Sequence, residues 1–132
     1  MAQRPSDVIV VAAIIEQANG EVLIARPANA GSGPSCWEFP SGHVREGESP
    51  EAAMRRVAQE RVGLTLALDV GQPPFAGVYH GDPVVFRYFL AGVVDGGAQA
   101  VDYAEVRWVT QAQLRQFDFD PTTQQIVEWY TN

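Results

Sequence analysis

The chain of 132 residues contains no lysine and a single cysteine, Cys36. One thiol excludes an internal disulfide and fits a reducing compartment, so a cytoplasmic location is expected. Long hydrophobic runs are missing too. The apolar stretch from Val8 to Ile15 is closed by Glu16; it is far too short to span a bilayer and has the length of a core strand. Met1 to Asp7 is polar, so no export signal is expected at the start. Positive charge is scarce: nine arginines face sixteen acids, for a net charge of −7. A chain this acidic, with no basic stripe, argues against a nucleic-acid polymer as partner. Small polyanions stay open, because a few arginines in a cleft can outweigh the global charge locally. The lysine-free, alanine- and valine-rich usage reads as a coding bias, and we draw no chemistry from it.

What is present suits one folded domain spanning 1–132, with 46% hydrophobic residues and no internal repeat. Residues 8–16 read as a strand, Asn19-Gly20 as a tight turn, and Glu21 to Arg26 as the antiparallel mate. Pro27 to Ser35, with Gly31-Ser-Gly-Pro34, reads as a mobile loop. Cys36 to Phe39 reads as a short strand ended by Pro40. A helix is predicted over 50–62: Ser49 caps it, Pro50 suits its first turn, Glu51 meets the positive dipole end and Gly63 stops it. Thr65 to Val70 is a weak strand. A hairpin follows, Phe75 to His80 and Val84 to Val94, joined through Gly81-Asp82. Glu105 to Val109 is the last strand, Thr110 caps a short helix, and Pro121 begins a C-terminal helix to about Tyr130. Strands with one helix in the middle and one at the end define an α+β chain with a mixed sheet.

The stretch from Gly42 to Leu64 carries a specific signal. Gly42, Glu48, Arg56, Glu60, Gly63 and Leu64 fall, without insertion, on the positions of the pattern G-x5-E-x7-R-E-U-x-E-E-x-G-U, with U a bulky aliphatic residue. This resembles the signature of the Nudix hydrolases. Trp37-Glu-Phe-Pro-Ser-Gly42 is similar to the family's approach to that signature, Arg26 ends the second strand as an arginine often does there, and Glu105-x-x-Trp108 and Phe119-Asp-Pro121 also look familiar. The likeness covers nearly the whole chain and implies an α/β/α sandwich in which the signature forms a loop-helix-loop platform.

Two positions break the pattern: Val57 and Arg61 stand where the family places glutamates, and Ala58 is small where a bulkier residue is usual. Positions 57 and 61 share a helix face, with 60 beside them. In the family, three glutamates there hold hard divalent cations, usually magnesium, that bridge the substrate's phosphates. The first of the three is also a common proton acceptor for the attacking water. Here the patch carries one negative and one positive charge.

The resemblance implies these roles: Glu60, Arg56 and Glu48 as catalytic positions, the last two bracing the signature loop, and Arg26, Arg61, Tyr79 and Thr123 as substrate-binding. Glu60 and the backbone carbonyl of Ser41 would ligate Mg2+ or Mn2+, weakly, with Asp102 or Glu105 as replacement carboxylates. Each has a plainer reading. Glu60 could simply pair with Arg56 one turn earlier, and Arg26 could be a strand-end charge. Tyr79, His80, Phe86 and Tyr88 could stack on a base or fill the core. Thr123 could read a base or cap a helix. Arg61 either pairs with Glu60 or Glu48 in an inactive site or replaces a cation and contacts phosphate itself. Two functions stay open. One is a hydrolase of nucleoside di- or triphosphate-linked substrates, foremost a nucleoside triphosphate to monophosphate and pyrophosphate, slowed by the two replacements. The other is an inactive nucleotide-binding or regulatory module. The expected partner is a small nucleotide, with neither nucleic-acid polymer nor membrane, and a homodimer stays open.

Overall fold

A computed structural model describes residues 8–28 and 36–132. From residue 29 to 35, the glycine-rich loop expected from sequence lies outside them. Seven strands and two α-helices follow in the order β1 (Ile9–Glu16), β2 (Val22–Arg26), β3 (Ser41–His43), α1 (Pro50–Val62), β4 (Thr65–Gly71), β5 (Phe75–Tyr79), β6 (Asp82–Asp95), β7 (Glu105–Val109) and α2 (Pro121–Thr131), with a 3-10 turn at Ala112–Gln116 before α2. The strands form one mixed sheet whose main path runs β4-β6-β1-β2-β7. The parallel pair is β1 with β6, in register from Ile9 opposite Val85 to Glu16 opposite Gly92. The long strand β6 also pairs antiparallel with β5 at its start and β4 at its end.

The unbroken apolar run in β1 has a physical reason. Val11, Ala13 and Ile15 pack toward α1, in a core with Met54, Val57, Leu64 and Phe89. Val10, Ala12 and Ile14 face the opposite layer, with Phe39, Tyr88, Leu114 and Val127. A strand covered on both faces by helical layers needs apolar residues at every position, not at alternate ones. This is the expected α/β/α sandwich.

Helix α1 starts and stops where the sequence places it. Ser49 is extended and its Oγ accepts the Ala52 N–H at 3.1 Å. Gly63 adopts φ +70°, and its N–H returns to the Gln59 carbonyl, a left-handed stop that a side chain would strain.

Three details depart from the sequence reading. Cys36 to Phe39 forms no ladder; it makes isolated bridges, Glu38 to Ala25 and Trp37 to Phe119. The hairpin turn is His80-Gly81, one residue earlier than expected, with φ +49° and +91°. Both central residues being left-handed is the geometry that matches strand twist in a two-residue turn. Third, β3 lies inside the signature loop and pairs antiparallel with β1, Ser41 opposite Ala12 and His43 opposite Val10.

Candidate functional site

Strand β3 fixes the site, because pairing with β1 holds the Ser41 carbonyl beside α1. Val57 and Arg61, one turn apart on α1, both face this strand. Val57 is buried and packs so closely on Gly42 that a Cβ at Gly42 would lie 2.7 Å from Val57 Cγ2. Arg61 reaches past it and donates from Nη1 to the Ser41 carbonyl oxygen at 2.7 Å.

The loop between β6 and β7 completes the arrangement. Its backbone N–H groups at Gln99, Val101 and Asp102 satisfy the Val62 and Arg61 carbonyls, which α1 would otherwise leave unpaired. The same loop supplies the Asp102 carbonyl, which accepts from Arg61 Nη2 at 3.0 Å, and the Asp102 carboxylate, 3.4 Å from Arg61 Nε. It also buries Tyr103, whose ring lies 4.0 Å beneath the guanidinium. A cation over an aromatic face gains about 0.5–2 kcal/mol, more when shielded from water.

Behind Arg61 lies a buried polar network. The Glu38 side chain is 6% exposed, and its carboxylate contacts Ser41 Oγ at 2.9 Å, His80 Nε2 at 2.9 Å and the Tyr103 hydroxyl at 3.4 Å. Tyr103 OH accepts the Ser41 N–H at 3.0 Å, and Ser41 Oγ also lies 3.1 Å from Tyr79 OH. The hydrogen bond to Glu38 holds the His80 imidazole above its ordinary pKa. His80, stacked on Tyr79 at 4.0 Å, is half-exposed. Glu38, Ser41, Tyr79 and His80 open onto a narrow cleft that also includes Phe86, Asp120 and Thr123, with about 10 Å³ of free space, room for roughly one water. Asp120 caps α2 there, accepting the Thr123 N–H at 3.0 Å and its hydroxyl at 2.8 Å.

Glu48 and Arg56 meet at the base of the signature loop. Glu48 holds Arg56 in a fork, Oε2 to Nε at 2.8 Å and Oε1 to Nη2 at 3.0 Å, and Arg56 Nη2 also donates to the His43 carbonyl at 2.8 Å. The Arg56 hydrogen bonds, with the Arg45 N–H, pull the Glu48 carboxyl down to about 2. Loop and helix are thereby tied together.

The other sequence candidates fall elsewhere. Glu60 is half-exposed and pairs with Arg56 at 3.3 Å and Arg45 at 3.5 Å. Arg26 and Glu105 face each other across β2 and β7 at 3.3 Å, and Arg107 shares the same carboxylate at 2.8 Å. The structure thus brings Ser41, Arg61, Asp102 and Tyr79 into one neighbourhood, puts Thr123 across the cleft, and leaves Glu60, Glu105 and Arg26 in their own ion pairs. Glu38 and Tyr103 were missed in the sequence. Strand alternation carried a signal for Glu38, since Trp37 and Phe39 both enter the α2-side core. Nothing in sequence marked Tyr103 beyond its being an aromatic in a polar loop.

A hard divalent cation needs several oxygen ligands around it. The donor set here does not fit one: the Ser41 carbonyl already accepts from a guanidinium, and position 57 offers methyl groups. Among the described residues no three acidic, histidine or cysteine side chains gather where they could hold an ion.

The arrangement is that of a loop-helix-loop platform on a mixed sheet, and comparison with known proteins gives it a family. The NUDIX domain model matches residues 7–130, and the chain belongs to the Nudix hydrolase family. A Mycobacterium tuberculosis protein provisionally named 8-oxo-dGTP diphosphatase 2 is 29% identical over 117 residues, 88% of this chain and 82% of that one. The 8-oxo-dGTP diphosphatase of Haemophilus influenzae is 25% identical over 123 residues, 93% of this chain and 90% of that one. Among solved structures, the MutT protein of Methanosarcina mazei superposes with a TM-score of 0.79 at 20% identity, covering 98% of this chain and 96% of that one. At that identity the likeness shows the fold.

Proposed function

We propose that this chain recognises nucleoside di- or triphosphates on the loop-helix platform of β3 and α1, beside the mouth of the narrow cleft, and that binding is its principal activity. The observation that carries this reading is the position of Val57, buried against Gly42 at the centre of the loop-helix platform. A valine there can neither accept a proton from water nor ligate a metal. Hydrolysis of a nucleoside triphosphate to monophosphate and pyrophosphate is therefore residual, slower by the roughly 10²–10⁴-fold that general acid–base assistance contributes. Support for the ligand class comes from the family and from relatives named for 8-oxo-dGTP hydrolysis. Half-exposed His80, with Asp120 and Thr123, gives the mouth of the cleft polar groups for hydrogen bonding.

A second reading, an active pyrophosphohydrolase, is favoured by the intact fork between Glu48 and Arg56. Incubation with a panel of nucleoside triphosphates and magnesium or manganese separates the two, when release of monophosphate is followed beside calorimetric binding. Binding with turnover far below that of Val57→Glu/Arg61→Glu is the expected result. Chelator-sensitive turnover by the natural chain at the rate of that variant would discard the binding reading.

A further inference from the structure

We propose that Arg61 is the resident cation of this site: its guanidinium takes the place of a divalent ion on the Ser41 carbonyl and supplies the positive charge that a phosphate meets. The phosphate half of this proposal rests on the nucleotide reading above; the exclusion of metal does not.

Geometry makes the first half of the case. The contact from Nη1 to the Ser41 carbonyl, 2.7 Å, has the length of a charge-assisted hydrogen bond. Nη2 reaches the Asp102 carbonyl at 3.0 Å, and the plane of the group rests on Tyr103. The Arg61 side chain is 19% exposed, against 50% for Glu60 on the same helix. It is therefore clamped from three sides, not a surface charge that swings away when an ion arrives. A dication seeking the Ser41 oxygen would have to displace it and would be repelled by it.

Charge and valence make the second half. A guanidinium carries five N–H donors and is not deprotonated in proteins. The two carbonyls use one donor each on Nη1 and Nη2, and Nε faces Asp102. Of the N–H groups left on the terminal nitrogens, one is directed to the Tyr79 hydroxyl and the other remains to meet a phosphate oxygen. Because this cation is covalently attached, chelators do not remove it.

Titration of Mn2+ into the natural chain, read as free Mn2+ by electron paramagnetic resonance, tests the exclusion. The natural chain is expected to bind Mn2+ at least about tenfold more weakly than Val57→Glu/Arg61→Glu; equal binding overturns the proposal. Should that variant fail to fold, Arg61→Gln serves, as the gap it leaves between two carbonyls is expected to lower the melting temperature and make it rise on adding Mn2+. An Arg61→Gln protein as stable as the natural chain and indifferent to Mn2+ overturns the proposal equally. Calorimetry with a nucleoside triphosphate in EDTA keeps the two readings apart. Equal affinity with and without Mg2+ supports a resident cation, and affinity that exists only with Mg2+ refutes it. No nucleotide binding in either buffer refutes the ligand and the phosphate role, while Mn2+ exclusion stands on its own titration.

Discussion

Arg61 on α1 and Ser41 on β3 are joined by a 2.7 Å hydrogen bond that ties the guanidinium to the backbone of the signature loop. The contact exists because β3 pairs with β1 and thereby turns the Ser41 carbonyl toward the helix. It couples the local fold to the electrostatics of the site.

Loss of the Tyr103 hydroxyl should cost stability without freeing Arg61. Tyr103→Phe strips the Ser41 N–H of its acceptor in a buried setting, a penalty of about 1–3 kcal/mol. The ring beneath the guanidinium remains. Urea denaturation should show the loss, while Mn2+ binding should stay as weak as in the natural chain.

Packing at Val57 predicts an interaction with Gly42. Gly42→Ala drives a methyl group to 2.7 Å from Val57 Cγ2, and overpacking of this kind costs about 1–3 kcal/mol. Combining it with Val57→Ala should recover part of that cost. A double-mutant cycle by denaturant unfolding checks the coupling, and strict additivity would contradict the contact.

The pH dependence has two signs. Glu48, depressed to about 2 by Arg56 from an ordinary value of 4.5, contributes stability that is complete above pH 4.5 and is lost as pH falls toward 2. Glu48→Gln should remove that acid-range component from melting curves, and the Glu48 carboxyl resonance should titrate near 2.

His80 behaves oppositely. Its raised pKa means that its stabilising charge on Glu38 is fully present below 6.5 and fades as pH rises through the higher folded value. The chain has two histidines, so imidazole proton resonances resolve them simply. His80 should titrate above 6.5 and fall back when Glu38→Gln removes the partner carboxylate.

Much of the fold was legible because local chemistry determines it. Ser49, Pro50 and Gly63 bound α1 by capping and backbone preference alone, and the apolar run of β1 announces a strand buried on both faces. The turn falls one residue before the expected Gly81-Asp82 because His80 adopts the left-handed conformation and Asp82 pairs with Tyr79. The site was legible as a spacing and obscure as a constellation. Arg61 could have paired with Glu60 or Glu48, the acids nearest it in the signature; it turns instead to carbonyls 20 and 41 residues distant in sequence. Only the packing of the β6–β7 loop onto the end of α1 decides that, and Tyr103 and Glu38 join the site through the same long-range contacts.

A crystal grown with excess manganese and read by anomalous scattering tests the central claim most directly. The account predicts no manganese within about 2.0–2.6 Å, the ligand range of hard dications, of the Ser41 carbonyl, with the Arg61 guanidinium still bonded there. A manganese peak on that oxygen, with Arg61 turned out of the cradle, would contradict it.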